Sequence, residues 1–370
     1  MATTVAPPPS PPPGCGNIDP DYYFLCDTCE AWGIGLTTVA AAGILTSLIL
    51  LLLFTMLACI VEDKNKKSMV PIQFFFIMGT LGIFSLTFAF IVRLNKKTGP
   101  ARFLLHGVLF ALCFSCLLTH GFNLIRLVRG KVPYSQRSLL FCVLGFTLVQ
   151  IIIAVKYIVI TVERDSIDLA RMGRQQRNKD FVMLAIYVVV LMVLAFVTSM
   201  FTFCGAYKGW KKHGTHIFVT LLFSMVIWIT WIFVFLRSSM SYESTQSKWD
   251  DPVISVTLVV NGLVFLVLYI VPEICFLASP CKPEDYPPKK STVTQLSIEA
   301  GSTQAPDKEG TEEDVLLSAN ENCLQPKILK SKPRISIPRA TLLPAYKQDI
   351  VVCSESKTGP TRETLKQYFC

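Results

Sequence analysis

The chain has 370 residues, 52% of them hydrophobic and only 16% charged, with a net charge of +9 and a mean hydropathy of +0.48. A soluble domain carries about 25% charged residues, so this composition excludes a water-soluble fold for most of the chain and makes a bilayer its solvent. The basic residues stand in short groups between apolar runs rather than in one long stripe, which argues against a nucleic-acid partner and suits loops beside anionic headgroups.

Met1–Cys15 opens the chain with Pro7–Pro9 and Pro11–Pro13 and is expected to be extended polyproline II. No apolar run precedes residue 31, so no cleavable signal peptide is expected and the first span anchors itself. A spanning helix needs roughly 20 apolar residues, because an unpaired backbone group in hydrocarbon costs several kcal/mol. Seven segments meet that need: Gly33–Val61, Met69–Val92, Arg102–Val128, Ser138–Val162, Phe181–Tyr207, Ile217–Leu236 and Pro252–Leu277. The third is diluted by His106, His120 and Asn123. Ser279–Cys370 is rich in Pro, Ser, Thr, Lys and Glu without a sustained apolar period, the signature of disorder. The expected fold is an all-α membrane protein, a seven-transmembrane bundle over residues 33–277. A short segment, 1–32, precedes it and a disordered tail, 278–370, follows.

Orientation follows from the first span. Asp19, Asp21, Asp27 and Glu30 precede it with no Lys or Arg, and Lys64, Lys66 and Lys67 follow it. The positive-inside rule places the N-terminus outside and the tail in the cytosol. The Glu163–Asp180 loop runs against this trend, with Arg164, Arg171, Arg174, Arg177 and Lys179. Cys15, Cys26 and Cys29 then face the oxidising side, where one disulfide among the three is expected. The span cysteines Cys59, Cys113, Cys116, Cys142, Cys204 and Cys275 read as small buried hydrophobes. Cys281 is either a palmitoylation site or a free thiol. No N-x-[ST] sequon occurs.

Ionisable groups inside spans are functional candidates. Lys156 either pairs with a carboxylate, lines a cavity or snorkels to the interface. Glu273, after Pro272, either binds an inside-facing partner or reaches headgroup water. His106, His120, His213 and His216 read as packing or interface residues. Trp228 and Trp231, near Phe223, Phe233 and Phe235, either line a pocket with a rotamer switch or simply pack. No H-E-x-x-H, G-x-S-x-G or P-loop pattern occurs. The seventh span has no Lys for a Schiff base. An enzyme is therefore not expected, nor a cofactor. In the tail, Ser336 follows Lys330, Lys332 and Arg334, Tyr346 is followed by Lys347-Gln348-Asp349, and Ser291, Thr292, Thr294 and Ser297 form a hydroxyl cluster. Kinases acting there would add charge and acceptor oxygens.

Several blocks are distinctive. Glu30-Ala31-Trp32-Gly33-Ile34 leads into the first span. Leu81–Ile91 reads LGIFSLTFAFI, Arg102–His120 reads RFLLHGVLFALCFSCLLTH, and Phe201–Ile217 reads FTFCGAYKGWKKHGTHI. Trp249-Asp250-Asp251 precedes a seventh span carrying Asn261-Gly262, Val264-Phe265-Leu266, Tyr269 and Pro272-Glu273, and the tail holds Ser336-Ile337-Pro338-Arg339-Ala340. In this order the set resembles the retinoic-acid-inducible group of orphan class C G-protein-coupled receptors, family C group 5. The resemblance implies a plasma-membrane receptor without a Venus-flytrap ectodomain. It implies a heterotrimeric G protein and arrestin as partners, tail kinases and possible homodimers, and names no ligand. It pairs Cys15 with Cys26 and leaves Cys29 over. It matches Trp228 to the sixth-span switch tryptophan.

Against the wider class C pattern the chain departs at the inner end. The third-span Lys is His120, its acidic partner on the sixth span is His213, and the seventh-span Pro-Lys reads Pro272-Glu273. The usual Lys–acid lock cannot form; either the two histidines share a weak contact in its place, or they are inert interface residues. The outer third-span Cys is also missing, with Thr98 or Gly99 in its place. Two other readings compete. A transporter or channel would show repeat-related broken helices with Gly or Pro at matching positions, and no such pairing is evident. An adaptor would signal through its tail alone.

Overall fold

The computed structural model describes residues 12–29, 31–95, 98–164, 172–240 and 250–279. Cys281, the hydroxyl cluster from Ser291 to Ser297, Ser336 and Tyr346 lie outside the described residues. A 3-10 turn, Pro20–Leu25, begins on Asp19, whose side chain accepts from the Asp21 N–H at 3.0 Å. Then come α1 (Trp32–Ile60), α2 (Lys64–Ile91), α3 (Thr98–Val128) and α4 (Gln136–Ile158), the last continued by a π-helical stretch, Val159–Arg164. They are followed by α5 (Arg174–Phe201), α6 (Lys208–Met240) and α7 (Asp250–Val264), and a π-helical turn, Phe265–Ile270, joins α7 to α8 (Val271–Ala278). Among the described residues, seven stretches are long and apolar enough to cross a membrane, with α7 through α8 counted as one.

The burial pattern agrees with hydrocarbon as solvent. Leu45, Met56, Phe141, Ile152, Met183, Ile229 and Val267 are exposed on the outer surface, where a soluble protein would place charge. Polar side chains point inward instead: His106, His120, Asn123, Gln73 and Glu273 are buried. The helix α3 is the hub. Of its most apolar stretch 67% is buried, against 28% for α1 and for α4, which explains why its sequence tolerates His and Asn where the peripheral helices do not.

Several helix ends differ from the apolar boundaries, and three of them bear on the site. The helix α2 starts at Lys64 rather than Met69, because Asp63 caps it by accepting from the Asn65 N–H at 2.9 Å. The helix α5 stops at Phe201, short of Tyr207, because the N–H groups of Ala206 and Tyr207 turn to the Val128 carbonyl at the end of α3, at 3.1 and 3.4 Å. The helix α6 begins at Lys208, so His213 sits inside it rather than before it. Apolarity reports the hydrocarbon thickness, which the starts of α2 and α6 outrun and the end of α5 falls short of.

One packing joint ties α1, α2 and α7. Phe84 of α2 is fully buried and fits between two glycines, Gly43 of α1 and Gly262 of α7. A Cβ on Gly262 would lie 2.6 Å from the Phe84 ring, and one on Gly43 would overlap it as well.

Ahead of α1, Cys15 and Cys26 are joined in a disulfide, with a Cα–Cα distance of 5.1 Å, and Cys29 is an exposed free thiol. This hairpin docks on the ends of α1 and α2. The Arg93 N–H donates to the Asp21 carbonyl at 2.9 Å, Asn95 Nδ2 donates to Asp21 Oδ2 at 3.1 Å, and Phe24 lies 5.3 Å from Trp32. Through these contacts the hairpin staples the start of α1 to the end of α2. Opening the bridge frees a loop of 11 residues separation, worth up to about 3 kcal/mol. Cys15→Ser is expected to lower surface expression and melting temperature. Finding both thiols free in the purified wild type, by non-reducing mass spectrometry, would overturn this.

Candidate functional site

The bundle has a disulfide end, where the hairpin sits, and a far end, where α2 begins and α8 stops. The far end holds a buried polar cluster drawn from α2, α3, α6 and α8. Its centre is Glu273, only 3% exposed. The π-helical turn inserts an extra residue per turn, and Tyr269 and Glu273, four apart, then share one inward face. Each Glu273 oxygen has its own partner: Oε1 lies 2.7 Å from His213 Nδ1 on α6, and Oε2 accepts from Gln73 Nε2 on α2 at 2.6 Å. An ionised Glu273 only accepts, and Nδ1 of His213 is then the donor. Beside this contact His120 Nδ1 lies 2.6 Å from the Tyr269 hydroxyl.

The two histidines therefore do not meet as expected. His213 takes Glu273 and His120 takes Tyr269. An acid–base contact does exist at this end, between α6 and α8 rather than between α3 and α6. Glu273, expected to meet a partner or headgroup water, is instead enclosed. Phe276 covers the contact, with its ring 3.9 Å from that of His213 and 5.5 Å from that of Trp210.

Lys66 is one of the three lysines that set the orientation of the first span. It is 3% exposed, and its Nζ donates to the carbonyls of Phe276 at 2.9 Å and Ser279 at 2.7 Å while lying 4.2 Å from the Phe276 ring. An ammonium on the last carbonyls of α8 complements the negative end of that helix. Next to it, Asn123 of α3 donates to Ser68 Oγ at 3.4 Å and accepts from the Tyr134 N–H at 2.9 Å. Gln73, Tyr269 and Lys66 were not singled out from the sequence for these contacts. A lone Gln in the apolar run of α2 was the available signal.

The remaining candidates fall elsewhere. Trp228 is fully buried in the middle of the bundle, 5.0 Å from Phe110 and 5.4 Å from Trp231, with His106 5.9 Å away. His216 is half-buried, its ring 6.4 Å from that of His213. Lys156 is exposed on α4, with no ion pair among the described residues. At the disulfide end Arg102 is buried. Its Nε donates to the Ala89 carbonyl at 2.7 Å, Nη1 meets Asp251 Oδ1 at 3.0 Å, and Nη2 reaches the Val92 carbonyl. This one side chain ties α3 to the end of α2 and the start of α7.

A seven-helix bundle with a polar contact across its far end defines a class of membrane receptor. The pattern of the family described as "7 transmembrane sweet-taste receptor of 3 GCPR" matches residues 26–273, and the chain belongs to this family, the class C G-protein-coupled receptors. Within it the chain is similar to "Retinoic acid-induced protein 3" of Mus musculus, 48% identical over 282 residues that make up 76% of this chain and 78% of that one. The Homo sapiens protein of the same name is 47% identical, with 78% of each chain covered. "G-protein coupled receptor family C group 5 member B" of Mus musculus is 39% identical over 74% of this chain and 66% of its own. The chain is thus a multi-pass membrane protein of the group 5 orphan receptors.

Proposed function

We propose that the chain is a plasma-membrane signalling receptor, not an enzyme, and that the contact around Glu273 holds its resting state. One observation carries this reading: a single buried carboxylate joins α6 to α2 through His213 and Gln73. A G protein entering the far end must part these helices, so the contact opposes coupling until a signal breaks it. In this reading Trp228 relays movement from the middle of the bundle to α6. The screen that tests it measures basal activation of each G-protein class, and arrestin recruitment, at matched surface expression. Glu273→Gln is expected to raise basal coupling several-fold over wild type. Silence of both proteins in every channel would overturn the coupling reading and favour an adaptor working through the tail.

The same reading places the disulfide end outside. The acidic approach to α1, the lysines at the start of α2 and the oxidised Cys15–Cys26 pair all favour it. With Lys66 engaged on α8, the charge asymmetry rests on Lys64 and Lys67. An epitope at residue 2 is expected to stain on intact cells, and one at residue 370 only after permeabilisation; the reverse pattern would sink the assignment. The tail then lies in the cytosol, where Cys281 is open to palmitoylation and Ser336 and Tyr346 to kinases. Arrestin binding would follow such phosphorylation.

A further inference from the structure

The disulfide end contains a small cavity that the far-end contact does not use. It has room of about 30 Å³, enough for one or two waters or a small ion. Four buried rings, Phe90, Phe103, Phe181 and Phe235, form much of its wall. Two guanidiniums, Arg102 of α3 and Arg177 of α5, line it together with the carboxylate of Asp251. They stand near enough for their charges to repel each other.

The charge balance is incomplete. Arg102 is matched by Asp251. Arg177 is half-buried and has no hydrogen bond or ion pair among the described residues. The carboxylate on its own helix, Asp180, does not line the cavity, and it accepts from Tyr157 at 2.9 Å and Gln176 at 2.7 Å. Among the groups that line the cavity, two guanidiniums and one carboxylate therefore leave one positive charge beside aromatic rings. The rings and the burial of Arg102 reduce screening there, so an opposite charge is held more strongly than at an open surface. A divalent anion would overcompensate that charge and lose more hydration on entry. A cation would be repelled.

We infer that this cavity is a binding site for a small monovalent anion, held between Arg177 and Arg102. The negative group is either a free halide or the carboxylate of a small molecule. Occupancy links the start of α3, α5 and α7, so it stabilises the disulfide end as a unit. It demands nothing of Glu273, so failure of the coupling experiment leaves it standing.

The test uses purified full-length protein in lipid nanodiscs, melted in sodium chloride, sodium acetate and sodium gluconate at equal ionic strength. Chloride or acetate is expected to raise the melting temperature by about 3–5 °C over gluconate, saturably with concentration. Arg177→Gln is expected to keep the fold, since Arg177 has no partner to lose, and to abolish that difference. A shift with acetate as well as chloride assigns the site to carboxylates too, and a shift with chloride alone assigns it to halides. Equal melting in all three salts, or a shift that persists in Arg177→Gln, would overturn the inference.

Discussion

His213→Ala should destabilise the bundle by about 3–5 kcal/mol, the cost of leaving a buried charge without its partner. Glu273 would keep Gln73 but lose the donor on its other oxygen, in a place that water does not reach. Glu273→Gln should cost far less, near 1 kcal/mol, because the amide retains a hydrogen-bonding oxygen and carries no charge to strand. The double variant His213→Ala with Glu273→Gln should then be more stable than His213→Ala alone. Thermal unfolding of the four proteins closes the cycle, and the coupling energy should exceed about 1 kcal/mol. Simple additivity would mean that the 2.7 Å contact contributes nothing as a pair. The stability and signalling effects also separate here: both single variants free α6, so both should raise basal coupling, although only one is badly destabilised.

The second large effect concerns the joint around Phe84. Gly262→Val is expected to cost about 2–3 kcal/mol, since the added atoms meet a ring already closed in from the other side by α1. Phe84→Leu alone should cost on the order of 1–2 kcal/mol by leaving a partial cavity. Combined, the smaller side chain makes room for the valine, and the pair should be more stable than Gly262→Val alone. The readout is melting temperature in detergent, with surface expression as a second measure. If Gly262→Val melts like wild type, α7 is free to move away from Phe84 and the joint is not a constraint.

The seven spans were legible because hydrocarbon imposes one demand, a run of apolar residues of sufficient length. The ends were less so. Lys64–Ser68 and Lys208–His216 are helical although they are polar, held by a cap at Asp63 and by continuity with the spans. The candidate site was half visible: His120, His213 and Glu273 were marked as polar residues in apolar helices, but who meets whom was not. Side-chain pairing between distant helices depends on rotation about each helix axis, and a π-helical turn changes that rotation without altering composition. Lys66 shows a different limit. A charge at a helix start reads as a headgroup contact, and only the position of the Phe276 and Ser279 carbonyls turns it inward.

The turn at Phe265–Ile270 makes chain length itself a determinant of the site. An α-helix advances 100° per residue. A π-helical turn takes up one residue more for the same rotation, so deleting one residue between 265 and 270 would let ordinary helical winding run through the seventh span and leave the later side chains aimed much as before. A one-residue insertion between Val271 and Glu273 has no wide turn to absorb it and would swing Glu273 by about that angle, away from His213. The contact would break while every residue of it stays in the sequence.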